Sequence, residues 1–362
     1  MKNLYRVLLV LAIMPGLAIA GDHNYNHTKR KMLSKDFEVS KTCEVKIDNS
    51  FGSVTITTWD QPRVELQITV IVSGNQLDEV EDRLRRVDVA FEESTKGIAA
   101  VTSNIGNNSN GSFWDIFSSK DSKGKIEVNY VVKMPVTASL DISNDYGAII
   151  LDRLEGNAKI RCDFGRLDIG MLMGGDNEIK FDYTKNSSID YMASGIIRAD
   201  FSGFELGEAV TLDFKGDYTQ AHIKKVKKLN FNSDFSGVRV DQVASLTGRG
   251  DYSKTRLGRV MGGVDLTTDF GSIDVQQLMS GFQKFKVKSD YTHINIRFDP
   301  AASFNFHVDT EYAGITLDRD CQLQRSEIDG SDKLKSGYFN SADTGNNVDI
   351  KASFGSVKIK SN

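Results

Sequence analysis

The sequence predicts an all-β fold: a parallel β-solenoid (β-helix) of 17–21-residue strand-corner-strand repeats, with a small α/β cap at its N-terminal side. Three observations predict it. An Asp-Tyr or Asp-Phe pair followed by a small residue recurs every 17 to 21 positions, and such periods mark stacked supersecondary units. Apolar residues alternate with polar ones on both sides of each pair, the period of a strand with one buried face. A block near the N-terminal side, 63–136, breaks the rhythm and carries a helical pattern.

The repeat aromatics are Tyr146, Phe164, Tyr183, Phe201, Tyr218, Phe235, Tyr252, Phe270 and Tyr291, continued by Tyr312 and Phe354, with Phe51 an early copy. Counting the aromatic as zero, positions −6 and −4 are apolar (Leu229 and Phe231, Phe285 and Val287) and −2 is mostly small or polar (Asn144, Cys162, Ser233). Positions +3 and +5 are apolar again (Val238 and Val240, Ile273 and Val275). A strand cannot switch faces without a bend, and the bend is placed at the small residue at +1, such as Gly147 or Ser236. Each repeat therefore reads as strand, corner, strand. The aromatics share parity with −2, −4 and −6, so they are expected to face inward; truncating Phe235 would then cost about 3–5 kcal/mol. Tyr and Phe alternate strictly from Tyr146 to Tyr291. Stacking like on like favours a coil of two repeats, roughly 36 residues, with a Tyr ladder at one corner and a Phe ladder at the other. One repeat per coil is the simpler alternative. Two-residue Asn-Gly or Asp-Gly turns are scarce, which argues against antiparallel hairpins.

Lys2 and Arg6, the apolar run Val7 to Leu17 and Ala18-Ile19-Ala20 have the form of a cleaved signal peptide over 1–20. Export to the periplasm or cell surface is expected, and the run is short for a membrane span. Residues 21–36 are polar and expected to be disordered. Residues 37–136 read as the first repeat plus the capping region, and 137–362 as the repeat domain. Within the cap, Arg63–Val72 reads as a strand. Gln76–Val87 reads as an amphipathic helix with Leu77, Val80, Leu84 and Val87 on one face, acidic residues early and arginines late. Strands at Asp88–Phe91, Ile98–Val101 and Ile126–Met134 follow, with a long polar loop from Asn104 to Gly124. An irregular insert, 320–346, precedes the last copy. The final residues complete another repeat, so no translocator barrel is expected within the chain.

Val45–Ile47 leading to Phe51-Gly52-Ser53-Val54-Thr55-Ile56, Val128–Pro135 leading to Asp145-Tyr146-Gly147, and the closing Phe354-Gly355-Ser356-Val357-Lys358-Ile359 resemble the bacterial "putative adhesin" family. These are exported β-solenoid proteins related to the head-GIN-domain adhesins. The resemblance covers most of the chain beyond the leader. It implies adhesion through the family name and brings no catalytic residues.

The formal charge of −4 is mild and argues against nucleic-acid binding, which needs a strongly basic face. The aspartates before each aromatic form an acidic series, for which calcium binding is the sharper reading. However, no copy has the Gly-Gly-x-Gly-x-Asp pattern, and Asp beside a corner is expected to bond turn backbone. His23, His27, His222, His293 and His307 show no metal-ligand spacing, and no metal or cofactor is expected. Three cysteines cannot all pair, and Cys43 and Cys162 lie in phase with apolar neighbours, as buried thiols do. Lys224, Lys225, Lys227 and Lys228 read as a solvated edge, with an anion contact as the sharper alternative.

Carboxylates are spread evenly by the repeat rather than clustered, so the chain reads as a non-enzyme. The alternatives are a carbohydrate-active β-helix enzyme and a periplasmic accessory to envelope signalling. The expected role is a rigid surface for adhesion or scaffolding, with a protein or glycan of the cell envelope as partner. The candidate partner contact is Phe113, Trp114 and Phe117, three aromatics within one polar loop; the competing reading makes that loop a plug over the end of the array.

Overall fold

The computed structural model describes residues 25–94, 97–104 and 124–362. Phe113, Trp114, Phe117 and the leader 1–20 lie outside them. The described chain is all-β with mostly parallel pairing and one helix, and it divides into two compact units, one through Leu172 and one from Met173.

In the first unit, β1 (His27–Glu38), β4 (Arg63–Gly74) and β7 (Gly124–Pro135) pair antiparallel, β4 in the middle. Residues 27–36 are therefore strand, not tail. Twelve consecutive register pairs with β4 hold the segment extended despite the polar composition, satisfying the backbone groups that face β4, and Phe37 anchors the end in the core. β5 (Val87–Ser94) pairs antiparallel with β6 (Gly97–Asn104). Two parallel files complete the unit. β6, β2 (Glu44–Ser50), β8 (Ser139–Asp145) and β10 (Ala158–Asp163) form one. β7, β3 (Val54–Trp59), β9 (Ala148–Leu154) and β11 (Arg166–Leu172) form the other. The first copy thus pairs directly with the Tyr146 copy, and the block 63–136 leaves and rejoins the files between them. Helix α1 (Leu77–Arg86) has Asp78 and Glu79 in its first turn and Arg83, Arg85 and Arg86 in its last, favourable to its dipole. Val80 is buried, whereas Leu77 is exposed, so the packed stripe is narrower than the sequence pattern suggests.

The second unit begins with parallel strands paired in sequence: β12 (Asn177–Asp182), β13 (Ser187–Asp200), β14 (Gly203–Lys215), β15 (Gln220–Asn232), β16 (Gly237–Arg249) and β17 (Lys254–Asp269). β18 (Ser272–Leu278) and β19 (Lys284–Asp290) both pair with β17, and β20 (His293–Phe298) pairs with β18. The register from β14 to β15 and from β15 to β16 advances by 17 residues, one repeat, placing Tyr218 next to Phe235 and Phe235 next to Tyr252. The two-repeat coil is thereby overturned: Tyr and Phe of successive repeats stack on one another, so their alternation needs no second corner.

The order changes at the end. β21 (Phe304–Glu311) and β22 (Gly314–Leu317) do not pair with β19 and β20. The last strands, β25 (Asn347–Ser353) and β26 (Ser356–Ser361), insert between them, with β19–β25–β21 and β20–β26–β22 as parallel triplets. The insert supplies a hairpin, β23 (Gln322–Asp329) and β24 (Asp332–Phe339), in which β24 pairs antiparallel with β21.

The inward rows are those expected at −6, −4, +3 and +5: Leu229, Phe231, Val238 and Val240 are buried in one copy, Phe285, Val287, Ile294 and Ile296 in another. The aromatic itself is not inward. Every repeat aromatic has φ between 49° and 64°, the left-handed region, which non-glycine residues rarely adopt. That single residue turns the ring outward and resets the parity. Positions −2 and +1 then both face in, as Ser233 and Ser236 do around exposed Phe235. The bend therefore falls on the aromatic, one residue before the small residue chosen from sequence.

Both thiols expected in the core are there. Cys43 and Cys162 are buried, and no disulfide joins the cysteines of the described residues. Burial pushes the Cys162 thiol up to about 12, and burial, then nearby Asp318, pushes Cys321 up to about 11. At pH 8 a thiol-specific disulfide reagent should titrate at most one cysteine quickly in the native protein and three after denaturation. Rapid native reaction of two or three would mean that the rows holding Cys43 and Cys162 open readily.

Candidate functional site

The corner is built from three adjoining rows. The aspartate at −1 accepts, through Oδ1, the backbone N–H of the aspartate in the next copy: Asp217 to Asp200, Asp234 to Asp217, and Asp251 to Asp234 at 2.8–2.9 Å. The series continues through Asp269 and Asp290. These carboxylates are backbone acceptors, but their donors lie in the neighbouring copy and not in their own turn as expected; no group of metal-holding side chains occurs among the described residues. The aromatic N–H donates to the next aspartate carbonyl, as Phe235 does to Asp251. At +1 a buried hydroxyl closes the corner. Thr219 Oγ1 donates to Ala199 and Asp217 carbonyls and accepts from the Ser202 N–H, and Ser236 repeats this toward Gly216, Asp234 and Thr219. Where +1 is Gly147, a Cβ would come 1.7 Å from the Gly52 carbonyl oxygen, so this copy takes the closer approach that glycine permits.

Outside these rows the rings stack. In the first unit Phe51, Tyr146 and Phe164 lie 5.0–5.1 Å apart and within 7° of parallel. In the second the order is Tyr183, Phe201, Tyr218, Phe235, Tyr252, Phe270, Tyr291, Phe354, Tyr312, at 4.7–5.1 Å. A left-handed residue costs about 1–2 kcal/mol, and a stacked pair returns about 0.5–1.5 kcal/mol beyond its buried area. The stack thus offsets the strain of the corner. From Tyr146 onward these rings remain 42–61% exposed, and each unit carries a stacked aromatic stripe open to solvent.

Beside the stripe, the outward faces of β14–β17 enclose an open trough of about 540 Å³. Asp213, Asn230, Thr247 and Asp265, all at −5, form one wall; Lys215, Asn232, Arg249 and Thr267, all at −3, form the other. Between the walls runs the backbone of Phe214, Phe231 and Gly248, whose side-chain positions face inward; on that core side the Phe231 ring fills the space at Gly248, where a Cβ would meet it at 2.2 Å. Asn230 Nδ2 donates to Asp213 Oδ1 at 2.7 Å.

Two of the four lysines of the basic patch are paired with carboxylates. Lys224 pairs with Glu205 and Lys225 with Glu208. The Lys224 hydrogen bond holds the Glu205 carboxyl below its usual range. His222 sits between Glu205 and Asp241, at 3.3 and 2.8 Å, part-exposed as an outward residue. Partial burial works to raise the Asp241 carboxyl, but hydrogen bonds from His222 and Arg239 outweigh it and lower it. His293 bonds Ser356 and joins no cluster.

Neither the stripe nor the trough was marked by sequence reading as a contact. A partial signal was present: small residues at both −2 and +1, if both face inward, confine the change of parity to −1 or zero without saying which.

No protein-family profile and no curated protein matches the chain. Among solved structures it is similar to a "putative adhesin" from Parabacteroides distasonis ATCC 8503, with 12% identity over 74% of this chain and 93% of that one, TM-score 0.34. A "putative adhesin" from Bacteroides fragilis NCTC 9343 has 11% identity over 92% and 97%, TM-score 0.31. One from Parabacteroides merdae ATCC 43184 has 9% identity over 74% and 92%, TM-score 0.32. The designation is the one the sequence resemblance carries. Identities and TM-scores this low leave the functional reading to the chain's own residues.

Proposed function

We propose that this chain is an exported, non-enzymatic protein of the cell envelope that presents a rigid β-solenoid surface as an adhesin or scaffold. Residues 1–20 act as a cleaved signal peptide, 37–136 supply a first repeat and an N-terminal cap, and 137–362 form the solenoid. The observation that carries the reading is the exposed aromatic stripe. Each ring sits in a left-handed corner that holds it in solvent, where a purely structural residue would gain more by burial. A stripe fixed by stacking loses little side-chain freedom on contact, which favours binding. The partner is a protein or glycan of the envelope, and the loop carrying Phe113, Trp114 and Phe117 is proposed as a second contact.

Replacing Tyr218, Phe235, Tyr252 and Phe270 together by serine should abolish binding of the purified protein to envelope fractions of the producing cell. Unchanged binding would reject the stripe as the contact. Release of oligosaccharides from those fractions would reject the non-enzymatic reading.

A further inference from the structure

We infer that the trough across β14–β17 is a binding site for a linear, uncharged polysaccharide lying across the strands. This deepens the adhesive reading, on which it rests, by naming the ligand class. Strand pairing excludes a peptide added as an extra strand. The floor strands are paired in register on both sides, so their backbone groups are spent. Recognition must come from side chains alone. Those present are amides, hydroxyls, an ammonium, a guanidinium and carboxylates, the groups that donate to and accept from sugar hydroxyls.

Charge narrows the class. Lys215 and Arg249 on one wall face Asp213 and Asp265 on the other, so the trough carries no net charge and offers a polyanion no advantage. Shape narrows it further. Four successive copies contribute one residue to each wall, and strands stack about 4.8 Å apart. That spacing is close to the rise per ring of an extended β-linked glycan, so successive rings of such a polymer each meet one pair of polar side chains at the same two repeat positions. The cavity of about 540 Å³ falls within the size range of small-molecule sites and accepts more than one ring.

The test is calorimetric titration of the full chain with hexasaccharides of β-1,4-glucose, β-1,4-N-acetylglucosamine and β-1,4-mannose, their disaccharides, and hexagalacturonate. At least one neutral hexasaccharide should bind, with its disaccharide weaker by about tenfold or more as hydrogen bonds are lost. An Asn232→Ala/Arg249→Ala variant changes only exposed side chains and should melt as the parent does. It should bind that hexasaccharide about tenfold more weakly or worse, while the stripe variant, with Tyr218, Phe235, Tyr252 and Phe270 changed to serine, retains it. Binding of none of the three, equal binding by the trough variant, or preference for hexagalacturonate would overturn the inference. Envelope binding that persists without any oligosaccharide binding would sink the trough while leaving the adhesive reading standing.

Discussion

Deleting residues 347–362 should unravel the end of the second unit, not merely shorten it. β25 and β26 are the last strands in the chain but not the last in the stack. They separate β19 and β20 from β21 and β22 and pair on both sides. Val348, Ile350, Val357 and Ile359 are at most 2% exposed. At about 1.5–3 kcal/mol for each buried aliphatic side chain, their removal forfeits about 6–12 kcal/mol of burial. β21 also loses its parallel neighbour and keeps only the hairpin strand β24. The expected result is new protease cleavage throughout 304–339 and a lowered melting temperature, with cleavage elsewhere unchanged. Persistent protection of 304–339 would show that β21 can pair with β19 directly and that the inserted order is dispensable.

The second large effect is a contrast between two phenylalanines. Phe285 lies at −6, fully buried; Phe235 lies at zero, about half exposed. Phe285→Ala should destabilise by about 3–5 kcal/mol, as buried Phe truncations do. Phe235→Ala removes the stacks with Tyr218 and Tyr252, worth about 0.5–1.5 kcal/mol each, and leaves the left-handed strain in place. Its cost should stay near 1–3 kcal/mol. Denaturant melts of the two variants measure both. Equal costs would mean that the stripe is packed by something beyond its own rings.

The strands were legible because alternation survives in nearly every copy. β4, α1 and β7 fall within a few residues of the spans read from 63–136, since each carries its own period. The facing of the aromatics was not legible in that way. Burial normally decides where Phe goes, and Phe235 follows an inward series, Leu229, Phe231 and Ser233, at the same parity. The left-handed corner overrides that series, and left-handed backbone is a property of three-dimensional stacking that an isolated repeat does not display. The insertion of β25 and β26 was hidden for a similar reason: sequence spacing orders the copies, whereas register alone orders the stack. β1 was missed because its polar residues gain from pairing with β4, a partner remote in sequence. The trough was missed because its residues at −5 and −3 look like an ordinary solvated face until four copies are set side by side.

Tyrosine nitration of the native protein, mapped by mass spectrometry, tests the central claim most directly. An outward stripe predicts early modification of Tyr218, Tyr252, Tyr291 and Tyr312, with Tyr130, fully buried between β3 and β4, protected until the protein unfolds. Protection of the repeat tyrosines to the level of Tyr130 would put the rings inside and contradict the account.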